Sequence, residues 1–385
     1  MSFNIKFLKA NEGDSFIIKF GSNEKTYNIL VDGGTGRVYN EVLKNEIEVI
    51  KRAKQCLDLV IVTHIDDDHI GGVLELFTNL KDKLIDEKDN IIKEVWFNSE
   101  LIIKDNIEKL DIDPKPIRLK EERLSKKKSV KQGISLEKYL SNLDCWNKQL
   151  IEHGIEFKDK QIGDGNITVL SPRWKGIVDL NRKWEREKGS GKKARHRTDY
   201  KQTIESLVKN EFKEDGSITN KSSISFILEY KNKKILMLGD AHPTDIIASL
   251  SELGFNQANP LRLDYVKISH HGSKANTNER LLKIIRCKKF IISSDGSSHG
   301  LPNKECLARI IDEFGRNIKT SECKKLDINI GHIRILEKES FKKKIKKVSQ
   351  GINFYFNYPI WNNIFSEDEI KKYKLNCLVK EELEV

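Results

Sequence analysis

One stretch constrains this chain more than any other: the β-branched run Leu57 to Val62, which leads directly into Thr63-His64-Ile65-Asp66-Asp67-Asp68-His69-Ile70-Gly71-Gly72. Such a run reads as a strand buried on both faces, the kind found in a parallel sheet covered by helices. His-x-Asp-x-Asp-His then places imidazole and carboxylate groups at four of six consecutive positions. A purely structural turn has no reason to carry that density, whereas a site for divalent ions does. Alternate residues of a tight loop point the same way. His64 and Asp66 are therefore expected to serve one ion and Asp68 and His69 a neighbouring one, with Asp67 facing elsewhere.

The same construction recurs along the chain. Residues Ile5, Phe7, Phe16, Ile18, Phe20, Tyr27, Ile29 and Val31 alternate as paired strands do, and the last strand ends in Asp32-Gly33-Gly34. An amphipathic helix is expected from about Asn40 to Ala53. Further strands are expected at Ile167–Leu170, Ser223–Tyr230, Lys234–Leu238, Tyr265–Ser269 and Phe290–Ser293. Polar clusters follow three of them: Gly239-Asp240, His270-His271-Gly272-Ser273 and the loop Asp295 to Pro302. Helices near 243–253 and 277–285 lie between. The fold class is α/β, with its chemistry at strand ends.

With 385 residues and 38% hydrophobic content, the chain can bury a full core. No run reaches the roughly 18 apolar residues of a bilayer span, and the N-terminus has no secretory apolar core. A soluble, cytoplasmic protein without a membrane partner is the expectation. Six cysteines lack any CxxC spacing and read as reduced thiols, mostly in the core.

Two regions, about 82–163 and 173–220, turn strongly charged and read as insertions, the second as a basic excursion and not a core element. Residues 341–385, with FKKKIKKVSQ and the aromatic stretch Phe354 to Trp361, read as a C-terminal extension appended to a domain spanning 1–340. The formal charge of +11 suggests a polyanionic partner. Lys120, Arg123, Lys126, Lys127 and Lys128 form one basic cluster, and Arg186, Lys188, Lys192, Lys193, Arg195 and Arg197 another. Such loops suit sequence-independent contacts to nucleic-acid phosphates, and a solvated charge run is the alternative. Trp174, Trp184, Tyr355, Phe356, Tyr358 and Trp361 are either core or base-stacking residues. His153, His196 and His332 have no context that suggests chemistry.

Taken in order, these motifs resemble the metallo-β-lactamase superfamily, whose hallmark loop is His-x-His-x-Asp-His. Within it, the chain is most similar to the nuclease-like domain of ComEC-type competence proteins and their stand-alone soluble relatives. Gly13-Asp14-Ser15, Asp32-Gly33-Gly34, Thr63 to Gly72, Leu170-Ser171-Pro172, Asn220 to Ser223, Leu238 to Ala241, His270 to Ser273 and Ser293 to Pro302 carry that likeness. The resemblance implies a four-layer αββα sandwich and a two-metal hydrolase, a nuclease or phosphodiesterase. It also implies that His64, Asp66, Asp68, His69, Asp240 and one or both of His270 and His271 are metal ligands, with Asp240 bridging.

Asp66 stands where the superfamily usually has a second histidine. An oxygen ligand there makes the ion manganese or zinc. No histidine occurs from Asn220 to Ser223, so the second histidine of the pair, or a water, is expected to fill that position. Two adjacent histidines cannot both face the site from a regular strand. Asp68 or Asp240 is expected to orient the attacking hydroxide and a protonated His299 or a lysine to assist the leaving group, although Leu301 replaces the histidine of the ComEC-type pattern. His242 caps the following helix or takes part in the chemistry. The alternatives are a metallohydrolase of a non-nucleic-acid ester or amide, and the catalytic component of a multi-protein antiviral defence assembly.

Overall fold

The computed structural model describes residues 2–22, 24–84, 91–109, 128–146, 148–154, 159–186, 198–327 and 351–385; side chains at 81–84, 182–186 and 316–327 are excluded. Strands β1 (Ser2–Phe7), β2 (Phe16–Gly21), β3 (Thr26–Val31), β4 (Leu59–Ile61) and β5 (Val95–Trp96) open the chain. They are followed by β6 (Lys160–Ile162), β7 (Gly165–Ser171), β8 (Ser225–Tyr230), β9 (Lys233–Met237), β10 (Leu261–Arg262) and β11 (Tyr265–Lys267). The last are β12 (Ile285–Arg286), β13 (Lys289–Ile292), β14 (Asn353–Phe356), β15 (Asn376–Val379) and β16 (Glu382–Glu384). The principal helices are α1 (Lys44–Arg52), α2 (Asp67–Leu84), α3 (Glu100–Lys109), α4 (Lys128–Leu140), α5 (Trp174–Arg186), α6 (Pro243–Glu252), α7 (Glu279–Lys283) and α8 (Lys304–Asp327).

One sheet runs β16-β1-β2-β3-β4-β5 and the other β15-β14-β13-β11-β9-β8-β7-β6. Alternation along each strand decides what faces what. Phe3, Ile5, Ile18, Phe20, Ile29 and Ile61 of the first sheet meet Ile167, Phe226, Leu228, Ile235 and Ile291 of the second in one buried layer. The opposite face of the first sheet, with Leu30 and Val60, packs on Ile47, Val73, Phe77, Ile103, Leu136 and Ile177 from the helices. The opposite face of the second, with Leu236, Val266 and Phe290, packs on Ile246, Leu250, Leu282 and Leu307. The result is helix on sheet on sheet on helix, the four-layer αββα arrangement expected.

Strands β3, β4 and β5 run parallel to one another, as do β9, β11, β13, β14 and β15. Their C-terminal ends therefore lie together, and the loops beyond them carry Asp32, His64, Asp240, His270, His271 and Ser294.

Two sequence expectations are corrected. Residues 351–385 are not an appendage: β14 pairs with β13 inside the second sheet, and β16 pairs with β1 to close the edge of the first. The charged regions also contribute to the core. Ile102, Ile107, Val130, Leu140 and Trp146 from the first region are buried, as are Ile177, Leu180, Ile204 and Leu207 from the second. Of the aromatics read as core or base-stacking, Phe356 is fully buried and Tyr355 lies against the inter-sheet layer, which is the core alternative. Lys120, Arg123, Lys126, Lys127, Lys188, Lys192, Lys193, Arg195, Arg197, His196 and His332 fall outside the described residues, as do the side chains of Trp184 and Arg186. Cys56, Cys145, Cys287, Cys306 and Cys377 are free thiols. Among the described residues no helix is long and apolar enough to cross a membrane.

Candidate metal centre

The metal loop is pinned by backbone contacts that only small residues permit. A Cβ on Gly72 would lie 2.0 Å from the Gly33 carbonyl oxygen, and one on Gly33 would lie 2.4 Å from the Val73 nitrogen. That contact explains the Gly-Gly after the histidine motif: the first turn of α2 rests on the Asp32-Gly33-Gly34 turn. Gly33 donates its N–H to the His69 carbonyl at 2.8 Å, Gly34 donates to Asp14 O at 2.7 Å, and Asp14 donates to Asp68 O at 3.1 Å. Loops after β1, β3 and β4 are thereby locked together.

Four imidazoles converge on one carboxylate oxygen. From Asp240 Oδ2, the Nε2 atoms lie at 3.5 Å for His69 and 3.8 Å for each of His64, His270 and His271. Asp66 Oδ2 is 3.7 Å from His64 Nε2; Asp68 Oδ2 is 3.8 Å from His69 Nε2 and 3.3 Å from His271 Nε2. His64, His69 and Asp240 form one group able to hold an ion, and Asp68, His69 and His271 another. Asp67 points away, accepting from Lys128 Nζ at 2.7 Å and Gln132 Nε2 at 2.6 Å. Both histidines of the pair face the site because the chain has left strand geometry. β11 ends at Lys267, and His270 and His271 adopt φ of 48° and 52°.

The outward ring nitrogens are all occupied. His69 Nδ1 is 2.8 Å from Asp32 Oδ2, and Asp32 is itself fixed by the Thr63 N–H and hydroxyl at 2.8 and 2.7 Å. His64 Nδ1 lies 3.1 Å from both Thr63 Oγ1 and Ser223 Oγ. His270 Nδ1 lies 3.0 Å from Asn276 Oδ1, and His271 Nδ1 3.0 Å from the Ser293 carbonyl and 3.3 Å from Asp14 Oδ1. Engaged Nδ1 atoms leave the Nε2 lone pairs aimed inward, and those of His64, His69 and His271 are buried with no hydrogen-bond partner. A buried polar atom without a partner is costly unless something fills the gap. The donor set, imidazole and carboxylate with oriented outer partners, fits divalent ions.

Electrostatics point the same way. Burial raises the Asp68 and Asp240 carboxyls, but the neighbouring imidazoles outweigh it and hold both well below the ordinary range. Burial lowers His271, yet Asp240 and Asp14 push it up to about 10, and His69 and His270 rise for the same kind of reason. Positive charge is wanted at this spot, and protons supply it where no metal does.

Several residues that build the site were not singled out as functional in the sequence. Asp14 and Asp32 stand in recognised motifs, but nothing there gave them roles. Lys267, 1% exposed, contacts Asp14 Oδ2, donates to the Gly239 carbonyl at 3.1 Å and lies 4.0 Å from Asp240 Oδ1. A lysine inside an apolar strand is the signal that was available. Asp215 gave no signal. Its carboxylate lies 3.5 Å from His270 Nδ1 and 3.7 Å from His242 Nε2, held low against burial by those two histidines. His242 precedes α6, and its side chain makes no capping bond. His153 is structural, with Nδ1 2.7 Å from the Val169 carbonyl.

A cleft of about 480 Å³ opens at the carboxylates, and Asp66, Asp68, Lys128, Ser298, His299 and Leu301 are among the residues that line it. His299 therefore faces the same space as the ligand candidates, from a loop in which it has φ 53°.

Residues 10–90 match the family model described as the metallo-beta-lactamase superfamily, so this stretch, from the Asp14 loop through α2, carries part of a domain of that superfamily. Among curated proteins nothing matches the chain. Solved structures similar to it include the metallo-beta-lactamase fold protein YhfI from Bacillus subtilis, at 11% identity over 78% of this chain and 87% of that one, TM-score 0.36. A variant of CmlA beta-hydroxylase is similar at 10% identity over 82% of this chain and 50% of that one, TM-score 0.34.

Proposed function

We propose that this chain is a two-metal-dependent hydrolase of phosphodiesters, acting on nucleic acid. The observation that carries the reading is the convergence of four imidazole Nε2 atoms on Asp240 Oδ2, with three of those nitrogens buried and unpartnered. In this reading His64, Asp66 and His270 would hold one ion and Asp68, His69 and His271 the other, with Asp240 common to both groups; an oxygen donor at Asp66 would make manganese as suitable as zinc. Two such ions would supply Lewis acidity and make a water acidic enough to attack near neutral pH.

The chain's own residues do the rest. Asp68, which lines the cleft, orients the attacking water, and Asp240 fixes the spacing of the imidazoles. His299, facing the same cleft, gives a proton to the leaving oxygen as the phosphorus–oxygen bond breaks. No serine or cysteine nucleophile is required, and none of the described cysteines lines the cleft. The superfamily match over 10–90 supports metal-dependent hydrolysis in general. The choice of a phosphodiester rests on the anionic transition state that paired dications stabilise and on the basic clusters at 120–128 and 186–197.

Metal analysis of the purified protein, with assays on single-stranded DNA, double-stranded DNA, RNA and a small chromogenic phosphodiester, tests this. Two bound ions and metal-dependent cleavage of at least one nucleic acid are expected. Two bound ions with no cleavage of any of the four would contradict the phosphodiester reading and favour an ester or amide substrate, or a catalytic subunit that acts only within an assembly. Where cleavage occurs, changing Lys192, Lys193, Arg195 and Arg197 together to Gln should weaken oligonucleotide binding and flatten its salt dependence while sparing the small phosphodiester. Equal affinities and salt slopes would remove the cluster from substrate binding.

A further inference from the structure

We infer that Asp215, acting through Asn276, is the positioning residue that fixes the tautomer of His270 and so completes the more open half of the metal centre; this rests on the two-metal reading above. Asn276 is fully buried, and both of its amide hydrogens are committed: Nδ2 donates to Asp215 Oδ2 at 3.2 Å and to the Asp240 carbonyl at 3.1 Å. With the amide nitrogen so engaged, its oxygen must face the other way, where it lies 3.0 Å from His270 Nδ1. An amide oxygen can only accept, Asp215 Oδ2 lies 3.5 Å from the same nitrogen, and Asn220 Nδ2, 3.3 Å away, makes its shorter bond to Asp215 at 2.7 Å; His270 Nδ1 therefore carries the hydrogen and Nε2 is left with its lone pair toward Asp240. The direction of the whole chain is set by Asp215, an acceptor-only group at its far end.

Asp215 is itself fixed from three sides. The Ser217 N–H donates to Oδ1 at 2.8 Å, Asn220 Nδ2 donates to Oδ2 at 2.7 Å, and the Asp215 N–H donates to the Ala275 carbonyl at 3.1 Å. The last bond ties the loop before Asn220 to the loop after His271. His270 needs this support more than His271 does. Its ring is 27% exposed against 3%, and the two consecutive residues sit in the left-handed region that non-glycine side chains adopt at a cost. Outer partners of this kind typically set metal affinity by 10–100-fold.

The test compares wild type with Asp215→Ser and Asp215→Asn, and with Asn276→Ala in case the loop fails to fold when Asp215 is changed. Each protein is stripped with chelator, then titrated with Co(II) while stoichiometry, affinity and the visible d–d bands are recorded, with circular dichroism as the folding control. Asp215→Ser should keep one tight equivalent, bind the second about 10–100-fold more weakly and lose part of the band intensity. His270→Ala should give the same pattern. Folded Asp215→Ser and Asn276→Ala proteins that bind two equivalents with wild-type affinity and spectrum would overturn the inference. Wild-type protein that binds no metal would instead overturn the two-metal reading, and the inference with it.

Discussion

In the two-metal reading, the two halves of the candidate centre are held by different chemistry. On the buried side, His69 and His271 are backed by the carboxylates Asp32 and Asp14 and are almost fully enclosed. On the open side, His64, itself enclosed, is backed by the Thr63 and Ser223 hydroxyls alone, and His270, 27% exposed, by the Asn276 amide with the Asp215 carboxylate farther off at 3.5 Å. A carboxylate behind an imidazole raises its basicity more than a neutral acceptor does. The buried half should therefore hold its ion tightly, and the open half should exchange its ion and meet substrate.

The largest expected effect removes the comparison altogether. Asp240→Asn takes away the charge common to both halves, and turnover and metal content should fall by more than the roughly 10–100-fold typical of an outer partner. Near wild-type turnover in that variant would mean that Asp240 is not shared. Next comes Lys267→Met, which takes the buried ammonium away from Asp14 and leaves that carboxylate with His271 alone. Breaking such a pair costs about 3–5 kcal/mol, readable as a lowered denaturation midpoint. Adding Asp14→Asn to it should recover much of that loss, and no recovery would show that the pair is not what Lys267 stabilises.

A smaller effect separates the halves directly. Asp32→Asn should weaken the tighter of two metal equivalents in a chelator competition, whereas Ser223→Ala should shift only the weaker one, and by less. The reverse order would break the assignment. The smallest effect is on pH. Metal-free protein holds protons on His69, His270 and His271, whose basicity is raised, so metal binding should release protons and weaken as pH falls toward 6. In the metal-free fold these raised groups stabilise fully below the ordinary imidazole range, and that stability should drain away as pH rises through about 10, where His271 deprotonates. Calorimetry in buffers of different ionisation enthalpy measures the first, and thermal melts of stripped protein the second.

Much of the site was readable because its ligand candidates sit at the ends of strands with strong local signals. Leu57–Val62, Lys234–Leu238 and Tyr265–Ser269 each announce a strand, and the polar cluster after each is short and dense. The turn at His270 and His271 was not readable, because two left-handed non-glycine residues are set by the surrounding loops and leave no local mark. Asp215 was hidden for a similar reason: it lies in a charged stretch, and only the tertiary fold brings it to Asn276. Helix α3 was obscured by the lysines and acids on its outer face, although Ile103 and Ile107 keep a helical period inside. At the C-terminus, Asn353–Phe356 had the apolar run of a central parallel strand, yet the basic residues ahead of it suggested an appendage.

The number of divalent ions held per chain tests the central claim most directly. Elemental mass spectrometry on protein purified without chelator should find two for wild type, fewer in His69→Ala, and the weaker one alone lost in His64→Ala. Two ions in all three proteins, or none in wild type, would contradict a two-metal centre built on these histidines.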